Sequence, residues 1–197
     1  MGKQAKRFDM YRKPNKPKWY IRVVEFIASP IYMLFSNGRV KTDKEVKKLK
    51  GAFLVLGSHA SFMDFAQIAT GLLPRYSGWV VSVDEFRRGD WLMYGIGGIP
   101  KRKFTHDIVT VKHILNYLKR YNFPVTIFPE ARFSLAGVNE KLDNGLGKLC
   151  KHAKVPVVLF KAYGNFINSP QWRSILTGIS ARNPVCRFYS RLKKWNK

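Results

Sequence analysis

His59 and Asp64 are the residues whose types and spacing could do chemistry in this chain. They lie in the segment Ser58-His59-Ala60-Ser61-Phe62-Met63-Asp64. An imidazole takes up a proton near neutral pH, and a carboxylate beside it fixes the tautomer and stabilises the imidazolium that forms. On one continuous helix, a separation of five residues turns the two side chains roughly 140° out of alignment. They can meet only if His59 sits on a turn and Asp64 lies inside the helix that follows. The preceding apolar run Ala52-Phe53-Leu54-Val55-Leu56 reads as a buried strand that delivers His59 to that turn. The same letters fit a capping box, in which Ser61 caps the helix and Asp64 reaches back to its backbone. The two roles are compatible, and the spacing alone does not choose between them.

The elements needed to hold such a pair are present in order. Strand patterns fall at residues 52–56, 79–83, 125–128 and 155–160, and helical patterns at 62–73, 107–121 and 145–153. This alternation predicts an α/β fold: a single domain with a mixed, largely parallel sheet flanked by helices. Sites in such sheets lie beyond the carboxyl ends of the strands. His59 follows the first strand and Pro129-Glu130-Ala131-Arg132 follows the third, so sequence-distant groups converge on one edge. Between them, Tyr94-Gly95-Ile96-Gly97-Gly98-Ile99-Pro100-Lys101-Arg102-Lys103 combines glycines with three cations. It matches neither of the standard glycine-rich nucleotide loops. A glycine-rich turn could hold a phosphate through backbone amides and guanidinium contacts, and a plain basic loop is the alternative. His106, His113 and His152 stand alone, no His/Cys cluster has metal spacing, and no metal is expected.

The chain has 197 residues, enough for one domain with a real core, and its 46% hydrophobic content argues against disorder. Lys and Arg number 36 against 12 Asp and Glu, a net charge of +24, which calls for an anionic partner. The cations gather in residues 1–18, 39–50 and 182–197. From Trp19 to Ser36 the clearly polar residues Arg22, Glu25, Ser29 and Ser36 fall in one narrow helical sector, leaving a wide apolar face. Pro30 should kink or interrupt this helix. The segment is marginal for a membrane span, so it is either an interfacial helix drawn down by basic flanks or a helix packed on the domain's own core. No secretory leader is convincing, and Cys150 and Cys186 read as free thiols in a reducing compartment. The expected location is membrane-associated, on the cytoplasmic face.

Four segments together resemble the glycerolipid acyltransferases, in particular the 1-acylglycerol-3-phosphate acyltransferase family. Ser58 to Asp64 is similar to the first motif, a histidine and an aspartate with four residues between them, with Ser58 where asparagine is usual. Gly98-Ile99-Pro100-Lys101-Arg102 is similar to the second, Phe128-Pro129-Glu130-Ala131-Arg132-Phe133-Ser134 to the third, written FPEGTRS, and Val155-Pro156-Val157-Val158 to the fourth. Within the third, Ala131 replaces glycine and Phe133 takes the arginine position, with Arg132 displaced by one. The order and spacing agree from residue 50 to residue 160. Members commonly continue with a further strand and helix, so the expectation is a short C-terminus.

Charge and periodicity put a basic leader and an amphipathic membrane-associating helix in residues 1–50, and the resemblance implies an acyltransferase domain in residues 51–197. It implies transfer of a fatty acyl group from an acyl thioester, acyl-CoA or acyl-carrier protein, to the sn-2 hydroxyl of lysophosphatidate, forming phosphatidate. His59 and Asp64 are then the catalytic pair. Arg102 and Glu130 bind the acceptor, Lys101 and Arg132 are further phosphate contacts, and the thioester is a co-substrate with no separate cofactor. The partners implied are anionic membrane lipids, a lysophospholipid acceptor and an acyl thioester donor. The alternatives are another lysophospholipid acceptor, or a noncatalytic basic membrane-binding protein of the same fold. Aromatic residues accompany the cations, but no nucleic-acid motif is present and no nucleic acid is expected.

Overall fold

An apolar residue at every position of a strand demands cover on both sides, because successive side chains point to opposite faces. The computed structural model, which describes residues 8–35, 39–59, 61, 63–103, 105, 107–130 and 144–163, meets that demand. Its elements run α1 (Trp19–Phe35), α2 (Lys44–Lys48), β1 (Leu54–Gly57), α3 (Met63–Leu72), β2 (Gly78–Ser82) and α4 (Val83–Gly95). They continue with β3 (Gly98–Lys101), α5 (Ile108–Tyr121), β4 (Val125–Ile127), α6 (Asn144–Ala153) and β5 (Val157–Phe160). Phe53 and Val55 join Ile68, Leu72, Trp79 and Phe128 in one buried cluster. Leu54 joins Ile114, Tyr117, Val125, Ile127 and Leu149 in a second. The alternation along β1 thus assigns α3 to one face of the sheet and α5 and α6 to the other.

The five strands pair in the order β3-β2-β4-β1-β5, and every pairing is parallel. The sheet expected to be mixed and largely parallel is parallel throughout. The physical reason is that each strand is joined to the next by at least one helix, and such crossovers return the chain in the same direction. The order also contains a reversal. The chain leaves β1 toward β2 on one side, and leaves β4 toward β5 on the other. A reversal of this kind between β1 and β4 is the position beyond the carboxyl ends of the strands where sites form in parallel sheets.

Three elements, α2, β3 and α4, differ from the sequence reading. Gly98–Lys101 is an edge strand paired with β2 rather than a loop. Gly97 has a φ of 77°, and a Cβ on Gly98 would lie 2.5 Å from the Met93 carbonyl oxygen, so these glycines serve the tight return from α4 into β3. They stand at the amino end of the strand while Lys101 and Arg102 stand at its carboxyl end. Pro100 is tolerated because β3 is an edge.

Helix α1 runs through Pro30 as one element and lies along α3. Its narrow sector turns inward: Ile21, Ser29 and Met33 are buried, and the Arg22 guanidinium stacks 4.2 Å above the Tyr76 ring. Its wide apolar face turns outward, with Trp19 74% and Leu34 79% exposed, and Val23, Val24, Phe26, Ile27 and Ile31 between them. Among the described residues no helix is long and apolar enough to cross a membrane.

Candidate active site

Strand β1 ends at Gly57, and two residues later His59 is buried beyond the strand's carboxyl end. Asp64 enters in the first turn of α3 and is fully buried. The turn between them closes the five-residue gap, leaving His59 Nδ1 3.1 Å from Asp64 Oδ2. The same carboxylate oxygen accepts a hydrogen bond from the Ser61 backbone N–H at 2.9 Å. That is the back-reaching half of the capping box, so Asp64 stabilises the helix start and orients the imidazole together. A carboxylate accepts, so Nδ1 carries the proton and Nε2 presents its lone pair.

Two aromatic rings complete the seat of His59. The Phe128 ring stacks on the imidazole at 4.0 Å with 18° between planes, and Phe65 meets it edge-on at 5.3 Å. Phe65 in turn packs on Phe128 and Trp79. Phe128 reaches His59 because β4 lies beside β1. A Cβ on Gly57 would stand 3.0 Å from the Phe128 ring, so the glycine at the strand end lets that ring close down. Sequence reasoning missed Phe128 and Phe65 as partners of the histidine. The signal available was the position of Phe128 at the head of the third motif.

Ser58 fastens the turn to the neighbouring strand. Its backbone N–H donates to the Phe160 carbonyl at 3.3 Å, and its hydroxyl oxygen accepts from the Ala162 N–H at 3.3 Å.

Glu130, buried, follows β4 and so lies on the strand end adjacent to that of His59. Lys101 closes β3 and exposed Arg102 follows it. These cations are on the same carboxyl edge, but β3 is three positions from β1, on the order of 14 Å across the sheet at the usual strand spacing. The structure brings His59 and Asp64 together, places Glu130 beyond the neighbouring strand, and sets Lys101 and Arg102 on the flank. Arg132 lies outside the described residues. Lys103 is held by Asp84, Nζ to Oδ2 3.3 Å, and that hydrogen bond keeps the exposed Asp84 carboxyl below its usual range. Thr110 Oγ1 donates to the Pro100 carbonyl at 2.8 Å and anchors α5 to the same strand.

A buried histidine held by a carboxylate at the mouth of a parallel sheet can act as a general base on a hydroxyl. Comparison with known proteins agrees with that chemistry: residues 38–159, more than half of the chain, match the family model described as Acyltransferase. Neither the curated proteins nor the solved structures give a significant match. The chain belongs to the acyltransferase family, the group that includes glycerolipid acyltransferases such as 1-acylglycerol-3-phosphate acyltransferase.

Proposed function

We propose that the protein transfers a fatty acyl group from an acyl thioester, carried by CoA or acyl-carrier protein, to the sn-2 hydroxyl of lysophosphatidate, forming phosphatidate. The observation that carries this reading is the Asp64 carboxylate on His59 Nδ1 at 3.1 Å. Nε2 removes the hydroxyl proton as that oxygen bonds to the thioester carbonyl carbon. The tetrahedral intermediate collapses with cleavage of the C–S bond, and the proton on His59 passes to the departing thiolate. Asp64 stabilises the imidazolium in between, and the Phe128 face adds a favourable quadrupole to the charged ring.

Arg102 and Lys101 meet the acceptor phosphate, with Arg132 as a further phosphate contact. Glu130, which follows the strand next to that of the base, orients the glycerol portion. The exposed face of α1 lies in the headgroup region of an anionic leaflet, on the cytoplasmic side, drawn there by the basic surface.

The test is acyl transfer to lysophosphatidate by the purified full chain with and without His59→Ala. Loss of a positioned general base costs about 10²- to 10⁴-fold in rate. Near wild-type turnover in the variant would sink the mechanism.

A further inference from the structure

An open cleft of about 430 Å³ lies between the basic leader and the later turns of α5. The leader is fastened there. Met10 and Pro14 are buried, His113 donates from Nε2 to the Met10 carbonyl at 2.9 Å, and the Tyr121 hydroxyl donates to the Pro14 carbonyl at 3.2 Å. These bonds hold Lys13 against α5, where it joins Lys119 and Arg120 around the cleft. No carboxylate lines it, and none of the three cations forms an ion pair among the described residues. Like charges around one cleft repel, and an anion between them relieves that repulsion. Helix α5 ends here, and about half a negative charge at its carboxyl end opposes an anion. Three full positive charges outweigh it.

Position says what kind of anion reaches the cleft. Lys16 Nζ stands 5.5 Å from the centre of the Tyr121 ring, which lines it, and Trp19 follows Lys16 within about 11 Å of backbone. Trp19 and Tyr20 meet edge-on at the start of α1 and are both exposed. Such rings settle at headgroup depth. The cleft therefore opens beside the end of α1 that would lie among lipid headgroups. It is also remote from the cations at the end of β3. Thr110, bonded to the Pro100 carbonyl, and Arg120 are ten residues apart on α5, about 15 Å along its axis. Three cations suit a phosphate monoester, which carries close to two negative charges near neutral pH, better than a diester with one.

We propose that this cleft is a second lipid site, which holds the phosphate monoester headgroup of a leaflet lipid between the leader and α5. The site takes from the proposed function only the placement of α1 against a leaflet; the acyl-transfer mechanism plays no part in it.

The experiment measures sedimentation of the full chain with phosphatidylcholine vesicles that carry either phosphatidate or phosphatidylglycerol, matched in surface charge by electrophoretic mobility. Wild type should prefer the phosphatidate vesicles by about tenfold or more, the scale of one hydrogen bond to a charged group. In Lys119→Gln/Arg120→Gln that preference should vanish. In Lys101→Gln/Arg102→Gln, the same loss of charge at the end of β3, it should persist. A preference lost only in the second variant belongs to the end of β3 and overturns the cleft, as does a preference that survives in the first. Glycerol 3-phosphate, at the concentration of the accessible headgroups, should leave the protein on the vesicles; displacement would make the occupant a free phosphate and overturn the lipid assignment. Equal binding to both vesicles overturns the site and leaves the placement of α1 standing, whereas binding to neither overturns both.

Discussion

Asp64 shows how much one buried carboxylate controls. One of its oxygens accepts from both the His59 ring and the Ser61 backbone. In Asp64→Asn the amide oxygen can still accept from both donors, but it is neutral, so the negative charge that stabilises the imidazolium is gone; where the amide turns its N–H groups toward the imidazole instead, Nδ1 becomes the acceptor and the ring proton moves to Nε2. We expect kcat to fall about 10²- to 10⁴-fold while the far-ultraviolet circular dichroism spectrum is kept. Retained activity in a folded Asp64→Asn protein would show that the carboxylate only caps the helix. Much of this site was legible in the sequence, because five residues between base and carboxylate prescribe a turn followed by a helix. The Phe128 stack was not. It arises from β1–β4 pairing, and no local spacing announces which ring a neighbouring strand will bring to the histidine.

At the scale of elements, α1 is the case where composition and placement part. Its polar sector could be read from periodicity, but which side faced the domain depended on Tyr76 and Phe123, the rings that receive Arg22. Turning that sector inward also buries Glu25, and burial pushes its carboxyl from the ordinary 4.5 up to about 7, with Arg22 offsetting part of the shift. The folded state therefore holds this proton more tightly than the unfolded chain. Its contribution to stability is complete below about 4.5 and is lost as pH rises through about 7. Glu25→Gln mimics the protonated form at all pH values. Its melting temperature should match wild type at pH 4 and exceed it at pH 8 by at least about 2 °C, roughly what 1 kcal/mol gives a domain of this size. Equal melting temperatures at pH 8 would place Glu25 in solvent. Strands β1, β2, β4 and β5 were visible because each is a mostly apolar run. β3 and α4 were not, since Gly98 and Pro100 interrupt a strand pattern and Gly89 sits at a kink where the charged residues of α4 break any apolar stripe.

On the whole molecule, two forces act on any approach to a lipid surface, and they can be separated. One is the net charge of +24, whose attraction to an anionic leaflet amounts to about 1 kcal/mol for each cation near the surface and fades with salt. The other is the outward apolar face of α1, whose burial is insensitive to screening. Val24 and Ile27 are 61% and 53% exposed, so removing both apolar side chains forfeits about 1 kcal/mol each if this face inserts. In Val24→Ser/Ile27→Ser, affinity for anionic phospholipid vesicles should drop about 10- to 100-fold at every salt concentration, with the salt dependence unchanged. In Lys16→Gln/Lys18→Gln, at the approach to α1, affinity should drop at low salt only and converge on wild type near 1 M, where the screening length is about 3 Å. Vesicle sedimentation across a salt series distinguishes the two variants. Parallel losses in both would mean a single electrostatic contact with no inserted helix. Wild-type binding that ignores both salt and lipid charge would remove the basic surface from the account of how this acyltransferase meets its lipids.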